Sequence, residues 1–213
     1  MSALKDQTIQ EFLDITASSA PAPGGGSVAA LAGARGAALA GMVAELTVGR
    51  EKYRDSEEAM QQVRREAEGL RQELLLAIDK DSESFTQYME ALAMPKNTEE
   101  EKAARRAAMQ EGLKAASLVP FAVAETAAKL MPLAKTASEF GNPNAVTDAL
   151  VSAMMARSAV LGAILNCRIN LASIKDEGFV AEMNAKADAL IAQTVCGEKE
   201  IFAGKDLAKG FIG

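Results

Sequence analysis

Residues 21–46 constrain the fold most strongly, because two prolines and three consecutive glycines precede a run made almost wholly of Ala, Gly, Val and Leu. Pro21 and Pro23 favour an extended turn, and glycine reaches φ angles that are closed to other residues. Ser27 stands where a helix N-cap is expected, since its hydroxyl can accept from a backbone N–H two or three residues later. The segment is predicted to be a glycine-rich loop leading into a helix whose N-terminal N–H groups face outward.

Small residues recur at every fourth position on two faces of this predicted helix: Ala29, Gly33, Ala37 and Gly41, and Gly36, Ala40 and Ala44. Each glycine inside a helix costs roughly 0.5–1 kcal/mol relative to alanine, so close packing must offset that cost. A membrane span with small-residue packing is the alternative. Arg35 in the middle and Glu45 near the end oppose it. We therefore expect a buried helix at the centre of a soluble protein.

The composition favours one helical domain over residues 1–213. Hydrophobic residues make up 49% of the 213 residues, aromatics only 4%, and no Trp is present, which suits close-packed helices with an Ala, Leu and Met core. The net charge of −6 argues against nucleic-acid binding. The first residues lack the apolar run of a signal peptide. Cys167 and Cys196 have no CxxC spacing and are expected to be reduced thiols. A cytoplasmic protein without membrane attachment is therefore expected.

The chain contains no histidine. Ser–His–Asp and Cys–His catalysis and His-based metal sites are therefore excluded within it. Any acid–base chemistry must be carried by Asp, Glu, Lys, Tyr or Cys.

Hydrophobic periodicity predicts helices and no strand, with helical segments at 8–17, 27–46, 56–94, 99–118, 121–139, 144–175 and 179–202. Thr98 and Glu101 have the spacing of a capping box, and Pro120 is expected to break or kink the helix that begins there. Asn142 and Pro143 suit the N-cap and first position of the following helix. The tail after residue 202 is expected to be irregular.

Asp81 falls on the apolar stripe of the long segment 56–94, which otherwise advances by threes and fours through Met60, Val63, Ala67, Leu70, Leu74 and Ala77. A carboxylate at such a position would be partly buried, with a raised pKa unless a cation or donor meets it. Two structural alternatives stay open. Asp81 could set the helix register, or the helix could be rotated so that Ile78, Phe85 and Leu92 face inward.

The segment 144–175 carries a stripe of small or polar residues: Asp148, Ser152, Ala159, Gly162, Asn166, Asn170 and Ser173. This stripe is interpreted as a cavity wall, with side-chain hydrogen bonds between helices as the alternative. Asp148 and Asn166 are five turns apart and so lie ~27 Å from each other. Three arrangements stay open: the two residues flank a long ligand, they serve different sites, or a partner chain supplies one of them to a shared site.

Five segments in register make the chain similar to a known family: PAPGGGSVAALAGARGAAL, AIDKDSESF, MPKNTEEEKAAR, GNPNAVTDAL and AILNCRINLASIKD. The sequence resembles the formiminotransferase-cyclodeaminase C-terminal domain family, which includes stand-alone methenyltetrahydrofolate cyclohydrolases. The resemblance covers nearly the whole chain. It implies an all-α, up-and-down helical bundle that works as a homodimer on folate one-carbon units, with no metal and no tightly bound cofactor.

The resemblance implies one of two reactions on a tetrahydrofolate derivative. In cyclodeamination, N10 of 5-formiminotetrahydrofolate attacks the formimino carbon and ammonia leaves. In the cyclohydrolase reaction, water adds to the bridge of 5,10-methenyltetrahydrofolate and the ring opens to 10-formyltetrahydrofolate. Both pass through a tetrahedral carbon between two nitrogens, and a carboxylate can shuttle the proton and stabilise the cation.

The resemblance also suggests roles for individual residues. Asp148 or Asp81 is the expected catalytic carboxylate, while Asp79 matches the family on a different helix face. Helix N-terminal donors for the pterin carbonyl or the glutamate tail are expected from Gly24, Gly25, Gly26 and Ser27. The tail, with one or several glutamates, is expected to meet Lys96, Arg50, Lys52 or Arg168. The pterin amide edge is expected to pair with Asn142, Asn144, Asn166 and Asn170.

The sequence does not divide cyclohydrolase from cyclodeaminase, because both substrates share the pterin and the one-carbon bridge. A non-catalytic helical scaffold or folate-binding module is a further alternative. A cleft lined by Asp148, Asn144 and residues 24–27 would favour the enzyme, and a dry core at those positions would favour the scaffold.

Overall fold

The computed structural model describes residues 3–211, and its helices confirm the predicted all-α class. No β-strand occurs within that range. The seven α-helices are α1 (Ile9–Thr16), α2 (Gly25–Glu45), α3 (Glu57–Ala93), α4 (Glu99–Ala128), α5 (Leu130–Phe140), α6 (Val146–Leu171) and α7 (Glu177–Ala203).

Helix α2 is the central helix, packed between α3 and α6, as its small residues predict. A Cβ on Gly33 would lie 3.0 Å from the Leu74 side chain of α3 and 3.3 Å from Ala159 Cβ of α6. A Cβ on Gly36 would lie 3.1 Å from the carbonyl oxygen of Ser152. Side chains this small let the three helix backbones approach closely, and this contact offsets the cost of glycine inside a helix.

By length and composition, α2 and the segment Pro143–Leu171 could each cross a membrane. About half of each apolar window, 56% and 50%, is instead buried among the other helices. This is the behaviour of core helices, and it leaves the other half of each helix facing outward.

The neighbours of α2 run antiparallel to it, which gives the up-and-down arrangement. At one end of α2, Ser27 contacts Ile78 of α3. At the other end, the Gly49 N–H donates to the Glu57 carboxylate over 2.8 Å. Helix α6 also reverses direction, because its late residues pack on the start of α2 and its early residues on the end.

Most predicted helix starts are confirmed. Thr98 and Glu101 form a capping box, and Asn142 caps a 3₁₀ turn, Pro143–Ala145, that leads into α6. The start predicted for α2 is wrong. Helix α2 has its N-cap at Gly24, three residues before the predicted cap, so Ser27 lies inside the first turn and does not cap it.

A break or a kink was expected at Pro120, and the break is wrong, because α4 continues through that residue to Ala128. Pro120 is buried together with Phe121, and packing on both sides of it outweighs the one hydrogen bond that proline removes. The chain breaks instead at Lys129. Pro132 then falls in the first turn of α5, where its missing N–H has no intrahelical partner to lose.

Two further boundaries also differ from the sequence prediction. Helix α6 ends at Leu171, and α7 starts at Glu177 with Asp176 as its N-cap. The tail contains a 3₁₀ turn, Asp206–Ala208, where irregular chain was expected.

Candidate active site

Asp81 is a half-buried carboxylate on the inward stripe of α3. Ser84 after it is 7% exposed, whereas Phe85 is 37% exposed, so the helix is not rotated to turn Phe85 inward, although Ile78 is also buried. Asp81 Oδ2 accepts a hydrogen bond of 2.9 Å from Ser27 Oγ of α2. Ser27 itself is fully buried. Its hydroxyl is therefore committed inside the protein and does not face a ligand.

The carboxyl group of Asp81 lies directly against the first turn of α2. A Cβ on Gly26 would overlap Asp81 Oδ1 and lie 2.6 Å from its Cγ, so any side chain at residue 26 would displace the Asp81 carboxyl group. Helix α2 has no side-chain cap of its own. Asp81 supplies negative charge at this helix N-terminus from a neighbouring helix, where such charge is favourable.

Two opposing influences set the pKa of Asp81. Burial is the larger, and it raises the pKa above the ordinary aspartate value because the charged form loses water. The Ser27 hydroxyl and backbone N–H act in the opposite direction by stabilising the ionised form. A carboxyl group with a raised pKa and fixed donors is suited to take up and return a proton.

Asn166 joins this end of the bundle, and Asn170 supports it. A Cβ on Gly25 would lie 2.7 Å from Asn166 Nδ2, so the amide side chain covers the start of α2. Asn166 donates to the Gly162 carbonyl of its own helix. Asn170 donates to the carbonyls of Ala116 and Asn166 and so links α6 to α4. Residues 24–27, Asp81 and Asn166 are thus brought together, and we call this group the glycine-loop cluster.

Asp79 has a structural contact at the same end. Its Oδ1 accepts a hydrogen bond of 2.7 Å from the Leu4 backbone N–H, which holds the 3₁₀ turn Leu4–Asp6 against α3. Asp79 and Asp81 therefore face different partners, as expected from their two-residue separation.

The GNPN residues lie at the opposite end of α2. Asn142 Oδ1 accepts from the Asn144 N–H and from the Tyr53 hydroxyl, and the Asn142 N–H donates to Thr47 Oγ1. Asp148 is half-exposed in the first turn of α6. We call Tyr53, Asn142, Asn144 and Asp148 the GNPN cluster. Tyr53 and Thr47 were not predicted, because a Tyr in a charged break and a buried Thr carry no distinctive spacing.

The predicted basic residues are dispersed. Lys96 is exposed in the turn between α3 and α4. Arg168 pairs with Asp188 of α7 over 2.7 Å. Lys52 lies 5.3 Å from the centre of the Tyr53 ring and Arg50 is exposed nearby, so these two belong to the GNPN end.

The two clusters do not share a cleft within one chain. Helix α2 has 21 residues, which separates its ends by roughly 30 Å. The polar stripe of α6 is not a cavity wall. Ser152 donates to the Gly36 carbonyl, and a Cβ on Gly162 would lie 3.3 Å from Ala29 Cβ of α2. Ser152, Ala159, Gly162 and Asn166 of the stripe pack on α2 and Asn170 bonds to α4, so the alternative of contacts between helices is the correct one for these residues.

A sequence model of the family described as formiminotransferase-cyclodeaminase matches residues 8–189. The chain belongs to this family. The resemblance inferred from the five sequence segments is therefore confirmed.

Relatives with stated activities fall into two groups. The chain is 42% identical to a methenyltetrahydrofolate cyclohydrolase of Methylorubrum extorquens, over 92% of this chain and 95% of that one. It is 35% identical to a formimidoyltransferase-cyclodeaminase of Sus scrofa over 90% of this chain, but spans only 35% of that longer protein. A crystal structure of a Thermotoga maritima formiminotetrahydrofolate cyclodeaminase superposes with a TM-score of 0.80 at 31% identity, covering 94% of this chain and 98% of that one.

Proposed function

We propose that this protein hydrolyses the one-carbon bridge of 5,10-methenyltetrahydrofolate to give 10-formyltetrahydrofolate, with Asp81 as the acid–base carboxylate. Membership of the family and the 42% identity to a cyclohydrolase support the choice of reaction. The observation that carries the mechanism is the Asp81 carboxyl group itself, half-buried and held by Ser27 against the start of α2.

The reaction needs one group that handles protons beside a cation. Water adds through its oxygen to the methenyl carbon, and Asp81 takes one proton from that water, which gives a neutral tetrahedral carbon between N5 and N10. The bond from carbon to N5 then breaks, N5 gains a proton from Asp81, and the remaining hydroxyl loses its proton to become the formyl carbonyl. The balance is one water consumed and one proton released. The ionised carboxylate also stabilises the methenyl cation before water adds.

Cyclodeamination of 5-formiminotetrahydrofolate is the second candidate, supported by the solved Thermotoga maritima relative. There N10 attacks the formimino carbon, and the leaving nitrogen needs a proton to depart as ammonia. The same carboxyl group would accept the N10 proton and deliver one to the leaving amine. The two reactions therefore require similar machinery and differ in the nucleophile.

Two assays on the purified protein test these proposals. Loss of methenyl absorbance beyond the buffer rate identifies the hydrolase, and ammonia release from 5-formiminotetrahydrofolate identifies the cyclodeaminase. Asp81→Asn is expected to lower kcat by about 10²–10⁴, the usual contribution of general acid–base catalysis. Asp79→Asn is the matched control, because Asp79 contacts Leu4. An active, folded Asp81→Asn would contradict the proposed mechanism, and absence of both activities would favour a scaffold or folate-binding module.

We further propose that the working unit is a homodimer formed by the outward stripes of α2 and α6. Exposed or half-buried positions on both helices advance by threes and fours, as in a helix–helix seam. On α2 they are Val28, Leu31, Arg35, Ala38, Met42 and Glu45, and on α6 they are Val151, Met154, Ser158, Leu161 and Leu165. The most exposed apolar side chains on α6 are Leu165 and Ile169, at 67% and 72%.

A second copy of this chain is the proposed occupant because it would complete the site. The glycine-loop cluster lies at one end of α2 and the GNPN cluster at the other, and the apolar stripes run between them. A two-fold interface presents the same patch from both subunits. If the stripes cross antiparallel, the glycine-loop cluster of one protomer meets the GNPN cluster of its partner. Such an arrangement would give each dimer two composite sites.

The folate tail is proposed to lie toward the GNPN end of the partner. Lys52 and Arg50 lie near Tyr53 at that end, and both are exposed. A tail with several glutamates adds carboxylates that such cations would attract, whereas Arg168 is already paired with Asp188. We expect lower KM for longer glutamate tails, and loss of that preference in Arg50→Gln with Lys52→Gln.

A further inference from the structure

Ser27 has two acceptors for one hydroxyl proton. Its Oγ lies 2.9 Å from Asp81 Oδ2 and 3.2 Å from the backbone carbonyl oxygen of Ile78. The side chain is fully buried. A serine hydroxyl donates one hydrogen and can accept through its lone pairs, so it serves only one of these acceptors at a time.

We propose that Ser27 is a positioning residue for Asp81, with a hydroxyl that turns between the carboxyl group and the Ile78 carbonyl as Asp81 loses or gains its proton. When Asp81 is ionised, the Ser27 hydroxyl donates to Oδ2. When Asp81 is protonated, its O–H donates to Ser27 Oγ, and the serine proton turns to Ile78. Only Asp81 gains or loses a proton. This inference rests on the proposed function, in which Asp81 cycles between the two states.

The arrangement keeps the carboxyl group hydrogen-bonded in both states without moving its heavy atoms. A buried polar group left without a partner is costly, and the cost is larger for a charged group. The carboxyl group lies directly against the first turn of α2, where a Cβ on Gly26 would be, so the helix backbone limits its movement on that side. Rotation of one hydroxyl is therefore the smallest change that satisfies both forms.

Charged neighbours do not explain the raised pKa of Asp81. Within residues 3–211, only burial and Ser27 act on its carboxyl group. The first ionisable residue of α2 is Arg35, which is exposed. Three cations of other elements have partners of their own: Lys5 with Asp6, Lys114 with Asp176, and Arg168 with Asp188. Lys80, next to Asp81 on α3, is exposed.

The test measures the pKa of Asp81 directly, by ¹³C NMR of the carboxyl carbon, with the signal assigned by its loss in Asp81→Asn. In Ser27→Ala the pKa of Asp81 is expected to rise by about one unit, a tenfold change in proton affinity, because hydrogen bonds to a charged group are the stronger ones. The acid limb of the kcat profile should move by the same amount. Ser152→Ala is the matched control, since Ser152 is also fully buried and donates only to a backbone carbonyl, that of Gly36.

An unchanged pKa of Asp81 in folded Ser27→Ala would overturn the inference. Ser27→Cys keeps nearly the same volume with a weaker donor and should give an intermediate pKa, which supplies a second test if Ser27→Ala does not fold. The failure of the proposed function has a different signature. If Asp81→Asn keeps full activity, the catalytic proposal fails, whereas an inactive Asp81→Asn beside an unshifted Ser27→Ala leaves the function standing and removes the role of Ser27.

Discussion

The carboxyl group of Asp81 occupies the space where Gly26 would carry a side chain. The Cβ of any other residue at position 26 would overlap Oδ1. The glycine run is thus explained by close approach of a side chain from α3, and the backbone at Gly26 is ordinary helix, without a positive φ.

Gly26→Ala is expected to lower activity about as much as Asp81→Asn, because the added methyl displaces the carboxyl group. Forcing an extra methyl into a packed site costs roughly 1–3 kcal/mol of stability. Gly69→Ala on α3 is the control, since nothing lies within 4 Å of its Cβ position and it is not part of the glycine-loop cluster. Kinetics and thermal melts of both variants check this, and equal activity in the two would show that Asp81 can move without consequence.

Asp81→Asn should change the pH dependence of stability in a defined direction. The raised pKa of Asp81 means that the folded protein binds this proton more tightly than the unfolded chain. The stabilisation is full below the unfolded pKa, near 3.9, and is lost as pH rises through the folded pKa. The Tm of Asp81→Asn relative to the wild type should therefore increase from about pH 4 to pH 7.

Asp176→Asn is a control for which the opposite pH dependence of Tm is expected. The Phe179 N–H and then Lys114 hold the pKa of Asp176 below its ordinary value, so its stabilising effect is present above the unfolded pKa and is lost as pH falls. The Tm of Asp176→Asn relative to the wild type should therefore decrease as pH rises from acid to about pH 5 and then stay level. Parallel trends in the two variants would contradict both assignments.

Helix boundaries and caps could largely be predicted from the sequence, because they depend on residues that are neighbours in the chain. The capping box at Thr98 and the Asn142–Pro143 start are examples. Pro120 shows the limit. Its effect depends on packing by distant residues, and the buried surroundings keep α4 continuous where local rules predict a break.

The candidate site was partly predictable for the same reason. Asp81 on an apolar stripe and the long separation of Asp148 from Asn166 both follow from helical periodicity. The partner of Asp81 does not, since Ser27 is 54 residues away and its spacing resembles that of an N-cap. The sequence could not show whether the polar stripe on α6 lines a cavity or packs on another helix, because packing against glycines of α2 and the lining of a cavity both favour small residues.

Mixing variants tests whether a site is shared between subunits. Asp81→Asn and Asp148→Asn should each be inactive alone if both residues serve one composite site. Random reassociation makes half of the dimers mixed, each with one intact site, so about a quarter of wild-type activity should return. Asp81→Asn mixed with Asp81→Ala cannot complement and is the control. Mixed dimers without recovered activity would place both residues in one protomer's site or exclude one of them.

Leu165→Asp with Ile169→Asp tests the proposed interface. Burying one such side chain is worth roughly 1.5–3 kcal/mol, so the pair of changes should weaken association by about a hundredfold or more. Light scattering after gel filtration should then show a monomer with little activity. Leu76→Asp is the control, because Leu76 is 49% exposed and lies on a different face of α3 from the core. The inward side chain two residues before it, Leu74, packs on Gly33. Loss of the dimer in the control variant alone would contradict the interface.

The close backbone contact between α2 and α6 fixes the spacing of the contacts along the two helices. With glycine and alanine at the contacts, few long side chains can repack to absorb a change in spacing. Insertion of one residue into the middle of α2 would turn one end relative to the other by about 100° and lengthen it by ~1.5 Å. The contact of Gly26 with Asp81 and the contact of Gly36 with Ser152 could not then both be kept, so the length of α2 is as constrained as its composition.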